Sequence, residues 1–280
     1  MKVAVIGAAG AMGSFFTRYF LSRGDEVLCS DIKPVKTRGA TFVRSEKAAA
    51  KDADAVIVAT PMKTTVRVCR GLAPHMRRGS ILVDISSVKG RALPLLAEIS
   101  RKNHVRLLSV HPLFGPALDR YAGMRMAVVE NGRSDSNRLA KTLFPGAWLV
   151  SMNAEAHDAL MAVMLSLTHI VNIAYARVVA DTISPSSYSR MATPSAALQT
   201  LLAEGVLSQD PSLCAGILRA NEGSKQAVKR MALELLKLNH MLEGANERAF
   251  SKEFKRLARL FSANGSSMRK VYSAYAVLAD

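Results

Sequence analysis

The sequence predicts two domains, an α/β domain with a mostly parallel sheet followed by an all-α domain. Over residues 1–152, short apolar runs rich in β-branched residues alternate with helical patterns, which is typical of parallel strands joined by helices. From residue 153 onward the alternation stops and helical periodicity continues. With 280 residues, 49% of them hydrophobic, the chain is long enough for two cores. We therefore expect domains at 1–152 and 153–280.

The apolar runs of the first domain indicate its strands in order. Strands are expected at Val3–Ile6, Glu26–Ser30, Ala55–Ala59, Ile81–Ile85, Arg106–Val110, Met126–Glu130 and Trp148–Ser151. Helices are expected between some of them, at Ala11–Arg23, Met62–Met76 and Arg91–Lys102. A helix between two strands returns the chain to the same edge of the sheet, so the strands it joins should run parallel.

The second domain opens with one long helix over "NAEAHDALMAVMLSLTHIVNIAYARVVADT", which has a wide apolar face. Its most apolar part, Ala159–Ala176, contains Ser, Thr, His and Asn side chains. These polar residues favour a buried helix over a membrane span. We expect His157 and Asp158, near the start of the helix, to serve in capping and domain packing.

One loop and further helices complete the second domain. The segment Ile183–Pro194 is rich in Ser and Pro, which indicates a loop. In "SQDPSL", Asp210 can cap a helix whose first residue is Pro211. An apolar helical domain of this size often buries part of its surface against a second copy, so we expect a homodimer formed through this domain.

Composition and charge narrow the class of protein. The formal charge is +16, and 24 of the 38 basic residues but only 11 of the 22 acidic ones lie in the first 150 positions. The basic residues are scattered and 6% of residues are aromatic, so we expect a solvated basic surface that attracts anionic ligands, not a nucleic-acid interface.

The cysteines indicate the compartment. Cys29, Cys69 and Cys214 are far apart, which indicates reduced thiols, no metal site and a cytoplasmic protein. A first strand beginning near Lys2 leaves no room for a signal peptide.

A glycine-rich loop, "VAVIGAAGAMGSFF", follows the first strand and opens the first helix. Gly7, Gly10 and Gly13 allow a tight turn, a close approach of a pyrophosphate to the backbone, and packing of helix on strand. The helix N-terminus then favours phosphate charge. Asp31, 21 residues beyond Gly10 at the end of the second strand, can bind ribose hydroxyls. This context predicts a Rossmann-type dinucleotide-binding domain.

The choice of dinucleotide depends on the residues after the second strand. Asp31 favours NAD because its carboxylate would repel a 2′-phosphate, whereas Lys33, Lys36 and Arg38 could hold that phosphate in NADP. The expected cofactor-binding residues lie in the glycine loop and at strand ends facing it: Gly7, Ala8, Ala9, Gly10, Ala11, Met12, Gly13, Asp31, Thr60, Pro61 and Ser86.

Two further strands end in polar segments, "VDISSVKG" at 83–90 and "VHPLFGP" at 110–116. In a parallel sheet both emerge at the edge where the glycine loop lies. This places Ser87, Lys89 and His111 close to one another. A histidine in such a position can accept a proton from an alcohol while hydride leaves the same carbon.

The combination of "VIGAAGAMG", "DISSVKG" and "HPLFGP" resembles the prephenate dehydrogenase family of tyrosine biosynthesis. In the second domain, "EAHDALMAVMLSLTHIVNIAYA" is similar to that family's first long helix, and "LSQDPSLCAGI" to a later helix start. The resemblance spans nearly the whole chain. It implies NAD(P)-dependent oxidative decarboxylation of prephenate.

The resemblance also implies roles for individual residues. Neutral His111 would take the ring-hydroxyl proton of prephenate while hydride passes to the nicotinamide, and loss of CO2 would give 4-hydroxyphenylpyruvate. Ser87 would hydrogen-bond that hydroxyl or His111. Lys89 would fix the turn or bind a substrate carboxylate. His169 matches a family position that faces the site.

One position departs from the family pattern. Where the family usually has an arginine that binds a substrate carboxylate, this sequence has Ala197, and Arg190 is the candidate replacement if its loop folds back. The substrate therefore stays open between prephenate and the amino-bearing relatives arogenate and 4-amino-4-deoxyprephenate. A catalytically silent nucleotide-binding protein is a further alternative, but it would leave Ser87, Lys89 and His111 without a role.

Overall fold

The boundary between the two structural units of the chain lies within its longest helix. The computed structural model describes residues 1–118, 121–132, 134–244 and 247–279. It divides into Met1–Met161 and Ala162–Asp280, whereas the sequence predicts the boundary at 152/153. The helix beginning at Ala154 contributes its first two turns to the first unit, because Asp158 accepts hydrogen bonds from backbone N–H groups of the sheet domain.

The strands of the first unit form one sheet in the order β3-β2-β1-β4-β5-β6-β7-β8. Their bounds are β1 Lys2–Ile6, β2 Glu26–Ser30, β3 Ala40–Phe42, β4 Ala55–Val58, β5 Ile81–Asp84, β6 Arg106–Pro112, β7 Arg125–Val129 and β8 Trp148–Met152. Neighbouring strands pair in parallel except for β6 with β7. The predicted mostly parallel sheet is confirmed, and the short strand β3 is an addition to it.

Helices cover the sheet on both faces. They are α1 Ala11–Ser22, α2 Glu46–Lys51, α3 Met62–Leu72, α4 Ala92–Lys102, α5 Ser136–Leu143 and α6 Ala154–Met161, with a 3-10 turn at Ala73–His75. The central strand β4 is apolar along its length and β1 is apolar from Val3 onward, since side chains on both faces are buried. On α1, Phe15, Phe16 and Phe20 are fully buried in the core of one face.

The strand order brings the carboxyl ends of β1, β4, β5 and β6 to one edge. Successive connections run to opposite sides of β1, so the order reverses between β1 and β4, which is where dinucleotides bind in doubly wound sheets. β5 ends at Asp84, opposite Ser109, but β6 continues to Pro112 by pairing with β7. His111 therefore lies on a strand that projects beyond this edge, one residue past the strand end expected at Val110.

The second unit consists of helices. They are the α-helices α7 Thr168–Thr182, α8 Pro185–Met191, α9 Pro194–Leu207, α10 Pro211–Ala220, α11 Gly223–Glu243, α12 Glu247–Leu260 and α13 Gly265–Ala279, preceded by a π-helical turn at Ala162–Leu167. The predicted cap is present, because the Asp210 carboxylate accepts from the N–H groups of Ser212 and Leu213. The predicted loop at Ile183–Pro194 is wrong. Ser184 caps α8 with Pro185 as its first residue, the same signal as at Asp210.

The long helix continues from Ala154 to Thr182 through the π-helical turn. Among the described residues it is the one segment long and apolar enough to cross a membrane. Its buried polar side chains have partners within the second unit: the Ser166 hydroxyl accepts from Ser224 at 2.7 Å, and Asn172 Oδ1 accepts from Gln199 Nε2 at 2.9 Å. Paired polar groups of this kind are ordinary in the core of a helical protein.

Candidate active site

The glycine loop is built for close contact between backbones. The N–H groups of Gly7 and Ala8 donate to the Ser30 carbonyl at 2.9 and 3.2 Å, which holds the loop against β2. Gly7 has a φ of +85°, and a Cβ there would lie 2.6 Å from the Ala59 carbonyl oxygen. A Cβ on Gly13 would lie 2.0 Å from the Gly7 oxygen. Side chains at these two positions are therefore excluded, as a tight strand-to-helix turn requires.

The N-terminus of α1 opens onto this loop. Gly10 is the N-cap residue, so no side chain caps the helix. In the described part of the chain, the N–H groups of Ala11, Met12 and Gly13 have no hydrogen-bond partner. Free amides at the positive end of a helix dipole bind phosphate oxygens.

Asp31 and Thr60 border the loop. Asp31 accepts from the Ala9 N–H at 3.0 Å through Oδ2 and from the Lys33 N–H at 3.0 Å through Oδ1. The Thr60 hydroxyl is buried and has no partner among the described residues. A buried polar group without a partner calls for a ligand or water, and free amides and a carboxylate are what a pyrophosphate and a ribose need. These residues fit a dinucleotide. We call the glycine loop, the free N–H groups at the start of α1, Asp31 and Thr60 together the dinucleotide cradle.

A buried ion pair fixes the turn after β5. Lys89 Nζ donates to Asp84 Oδ2 at 2.7 Å and to the Val110 carbonyl at 2.7 Å, and Ser109 donates to the same carboxylate oxygen at 2.8 Å. Burial opposes ionisation of Asp84, but the Lys89 cation and the hydrogen bonds to the carboxylate outweigh it and hold its pKa below the usual range. Lys89 is fully buried, so a substrate carboxylate does not reach it in this conformation. Of its two predicted roles, the geometry supports the turn and not substrate contact.

The two serines of this turn differ in their availability. The Ser86 N–H donates to Asp84 Oδ1 at 3.0 Å and its hydroxyl donates to the Val88 carbonyl at 3.2 Å. Ser87 is half-buried, and its hydroxyl makes no hydrogen bond within the described residues. Ser87 is thus free to bind a ligand, whereas Ser86 mainly shapes the turn.

His111 is buried and faces a second histidine. Its Nδ1 lies 3.0 Å from Nε2 of His157, and the two rings meet edge to face with centroids 5.1 Å apart. Burial lowers the pKa of His111 to about 3, and the Lys89 cation and His157 add to this shift. His111 is therefore neutral near pH 7, the state in which it can accept a proton.

Of the roles expected for His157 and Asp158, domain packing is present, because Asp158 binds backbone N–H groups of the sheet domain, but the contact of His157 with His111 was not predicted. Capping of α6 belongs to Asn153, whose Oδ1 accepts from the Ala156 N–H at 2.8 Å. His157 Nδ1 instead lies 2.7 Å from Asp158 Oδ1, and Asp158 also accepts from the N–H groups of Lys89 at 3.0 Å and Gly90 at 2.7 Å. The side chains Asp158, His157 and His111 thus form one hydrogen-bonded chain.

Burial raises the tendency of Asp158 to be neutral, but the bond to His157 and the two backbone N–H groups outweigh it and lower its pKa. This series of hydrogen-bonded side chains could not be predicted from a local sequence pattern. His157 and His111 are 46 residues apart, and the helix carrying His157 begins after the last strand.

Two predicted substrate residues, His169 and Arg190, and Ala197, which stands where an arginine was expected, lie in helices of the second unit. His169 is buried, and its ring nitrogens lie 2.6 Å from the Leu165 carbonyl and 3.3 Å from Gln209 Oε1. Arg190 is exposed in the last turn of α8 and forms no ion pair in the part of the chain described. Ala197 lies in the first turn of α9. Substrate binding by His169 and Arg190 stays a prediction.

Two models of one protein family match the chain. The nucleotide-binding domain of prephenate dehydrogenase matches residues 27–131, and the dimerization domain of prephenate dehydrogenase matches residues 153–261. Together they cover most of the chain and correspond to its two units in order. The first match begins inside β2, so the glycine loop lies outside it.

Individual relatives agree with the family models. The chain is 26% identical over its whole length to a probable arogenate/prephenate dehydrogenase of Methanocaldococcus jannaschii, of which it spans 65%. It is 25% identical to a 4-amino-4-deoxyprephenate dehydrogenase of Streptomyces pristinaespiralis, over 96% of this chain and 94% of that one.

Solved structures show the same fold. Prephenate dehydrogenase from Aquifex aeolicus, crystallised with hydroxyphenyl propionate and NAD+, has a TM-score of 0.77 at 21% identity over 94% of this chain and 98% of that one. Synechocystis arogenate dehydrogenase has a TM-score of 0.70 at 15% identity, over 96% and 99%. With the dinucleotide cradle, the histidine at the edge of the sheet and both domain matches in agreement, this chain belongs to the prephenate dehydrogenase family.

Proposed function

We propose that this chain is an NAD(P)-dependent dehydrogenase that converts prephenate to 4-hydroxyphenylpyruvate and CO2 in tyrosine biosynthesis. The observation that carries the proposal is His111, a buried neutral histidine at the sheet edge that also holds the dinucleotide cradle. Three strand spacings separate β1 from β6, roughly 14 Å at about 4.8 Å each. A dinucleotide bound across the strand-order reversal extends in this direction.

The proposed mechanism assigns each protein group a separate task. NAD(P)+, when bound, supplies the hydride acceptor. His111 takes the hydroxyl proton of the substrate as the C–H bond at the same carbon breaks. The carbonyl group can then form without a free alkoxide as an intermediate. Ser87 donates its unused hydroxyl to the substrate oxygen or accepts from it. Release of the ring carboxylate as CO2 then makes the ring aromatic.

Asp31 favours NAD over NADP in this proposal. Its carboxylate lies beside the loop N–H of Ala9, where it can accept hydrogen bonds from ribose hydroxyls. Lys33, Lys36 and Arg38 are exposed in the following segment and are the groups that would hold a 2′-phosphate, so NADP is the alternative.

The substrate alternatives are arogenate and 4-amino-4-deoxyprephenate, which relatives of this chain are named for. They share the hydroxyl or amine that His111 would deprotonate in the same reaction. Ala197 lacks the charge expected to bind a substrate carboxylate, and an unreplaced charge-assisted contact costs about 2–3 kcal/mol. Arg190 is the cation proposed to replace it.

We also propose that the protein is a homodimer formed through the second unit. α12 buries none of its residues within the described chain, yet it carries Phe250, Phe254 and Leu257 at helical spacing, and the exposed Phe261 follows directly after its last residue. An apolar stripe of this kind is typical of a surface that another chain covers. Light scattering coupled to size exclusion should give twice the monomer mass of 30.2 kDa.

The reaction is tested by following the absorbance band of reduced nicotinamide. The purified protein is mixed with prephenate, arogenate or 4-amino-4-deoxyprephenate and with NAD or NADP, and products are identified by chromatography. We expect reduction with prephenate and stoichiometric CO2. Reduction with an amino substrate alone would select the alternative, and cofactor binding without turnover of any substrate would indicate a silent nucleotide-binding protein.

A further inference from the structure

We propose that His157 and Asp158 are positioning residues for His111. They keep the lone pair of His111 at Nε2, and His157 accepts the hydrogen of His111 Nδ1 when His111 takes up the substrate proton. The proposal rests on the function proposed above for the identity of the reaction. Its geometric part, the hydrogen-bonded chain of three side chains, stands on distances of 2.7 and 3.0 Å.

The direction of the hydrogen bonds follows from the acidic end of the chain. Asp158 accepts from two backbone N–H groups, and a carboxylate with these donors is ionised and only accepts. His157 Nδ1 must therefore donate to it. When this is the single proton on the His157 ring, its lone pair is at Nε2, so the hydrogen between the two rings comes from His111 Nδ1. His111 Nε2 is left unprotonated, as a proton acceptor requires.

The three hydrogen-bonded side chains, Asp158, His157 and His111, are fixed at both ends by the sheet domain. Asp158 is bonded to the backbone of Lys89 and Gly90, in the turn that also carries Ser87. His111 lies on β6, paired with Ala127 of β7. The orientation of the proton acceptor is thus tied to the segment that carries Ser87.

The proton movement balances over the two rings. The substrate O–H bond breaks and a bond from its hydrogen to His111 Nε2 forms, while the hydrogen on His111 Nδ1 passes to His157 Nε2. The positive charge ends on His157, next to ionised Asp158, and His111 is neutral again. Loss of the Nε2 proton to water and return of the other proton to His111 restore the starting state.

The charges around His111 explain why such a transfer is needed. Lys89 Nζ binds the carbonyl of Val110, the residue before His111, and with burial it disfavours a positive charge on the His111 ring. The Asp84 carboxylate is bonded to the same ammonium group, so its charge is paired with that of Lys89. The Asp158 carboxylate is hydrogen-bonded to His157, which lies between it and His111. The proton is therefore better stabilised on His157 than on His111.

Substitution of Asp158 by Asn tests the tautomer. The Asn oxygen can still accept from Lys89 and Gly90, but its NH2 group then faces His157 Nδ1. This reverses both rings and places the hydrogen of His111 on Nε2. We expect Asp158→Asn to lower kcat by roughly 10²- to 10⁴-fold, with KM and melting temperature near those of the wild type. Glu155→Gln, an exposed change of equal charge on the same helix, should leave kcat within about twofold.

Two further measurements separate positioning from packing. His157→Phe keeps a ring at the contact but removes the hydrogen bonds, and we expect the same loss of kcat. Full turnover in either variant would overturn the proposal.

The second measurement is multiple-bond ¹H–¹⁵N correlation on histidine-labelled wild type without substrate, assigned with the variants. It should show His111 protonated at Nδ1, with the pattern inverted in Asp158→Asn. A wild-type His111 protonated at Nε2 would overturn the proposal even if the enzyme is active. If no substrate is turned over at all, the function proposed above fails, and this spectrum still decides the tautomer.

Discussion

The ammonium nitrogen of Lys89 lies 2.7 Å from Oδ2 of Asp84, and neither side chain is exposed. Lys89 also reaches the Val110 carbonyl, so the pair connects the end of β5 to β6 just before His111. In this family context a lysine at the active-site edge suggests contact with an anionic substrate. Its burial instead makes it part of the framework that holds the turn of Ser87 beside the strand of His111.

Lys89→Met should destabilise the fold strongly. Removing one partner leaves the Asp84 carboxylate buried without its counter-charge, which costs about 3–5 kcal/mol. Urea unfolding at pH 7 measures this loss. Lys63→Met, an exposed lysine on α3, serves as the control and should change the unfolding free energy by less than about 0.5 kcal/mol. A loss of the same small size in Lys89→Met would contradict the importance of the pair, and adding Asp84→Asn to Lys89→Met should recover part of the stability.

His111→Asn should abolish proton transfer without loss of the fold or of cofactor binding. Asparagine can keep a hydrogen bond to His157 but cannot accept the substrate proton, so kcat should fall by roughly 10²- to 10⁴-fold. Steady-state rates give kcat, and quenching of protein fluorescence by NADH gives the cofactor Kd, which should stay within about twofold. Unchanged turnover would show that another group is the base.

Because His111 is buried and neutral, the stability of the fold should depend on pH between about 4 and 6.5, where carboxyl groups do not yet titrate. Its pKa is lowered from 6.5 to about 3 in the folded state, so below pH 6.5 the unfolded chain takes up a proton that the folded chain does not. Stability therefore falls as pH decreases from 6.5 toward 3, by about 2 kcal/mol at pH 5. Asp84 and Asp158 have lowered pKa values, so their contribution is lost only below about pH 4.

The comparison of wild type with His111→Asn isolates this effect. Urea unfolding of both proteins at pH 7 and pH 5 gives two differences in free energy. The wild type should lose about 2 kcal/mol more than the variant between these values. Equal losses would mean that His111 is protonated in the folded protein at pH 5.

The features predicted from sequence are those that local patterns encode. Strand periodicity and the glycine loop identified the sheet and its dinucleotide edge, because each depends on residues close in the chain. The three-residue strand β3 and the six-residue helix α2 were missed, since segments this short have too few residues to show a period. α8 was missed although Ser184 and Pro185 are a start signal, because the surrounding Ser and Pro residues favoured a loop.

The partner of His111 could not be predicted for a different reason. His157 follows Ala156 in a helix with an apolar face, and a histidine there is compatible with packing alone. Its significance comes from a contact across 46 residues, which depends on how the helix meets the sheet. The same applies to Lys89, whose burial and pairing with Asp84 depend on the fold and not on the spacing of the two residues.

Gly13→Ala should weaken both the fold and cofactor binding. The added Cβ would lie 2.0 Å from the Gly7 oxygen, a backbone atom that can only move by opening the loop. We expect a loss of about 1–3 kcal/mol in unfolding free energy and a NADH Kd at least tenfold higher. Gly71→Ala is the control, because the new methyl group on α3 meets no described atom within 4 Å, and alanine should stabilise that helix by about 0.5–1 kcal/mol. Normal Kd in Gly13→Ala would show that the loop is not the cradle.

Asp31→Asn should shift the cofactor preference toward NADP. The amide oxygen can still accept from the Ala9 N–H, so the glycine loop keeps this contact, although the Lys33 N–H loses its acceptor, and the negative charge that would repel a 2′-phosphate is gone. Two charges at about 4 Å near a protein surface interact by about 1–4 kcal/mol, so the ratio of kcat/KM for NADP to that for NAD should rise at least tenfold. Asp52→Asn, an exposed change of equal charge after α2, should leave the ratio unchanged. An unchanged ratio in Asp31→Asn would assign the choice of cofactor to Lys33, Lys36 and Arg38 instead.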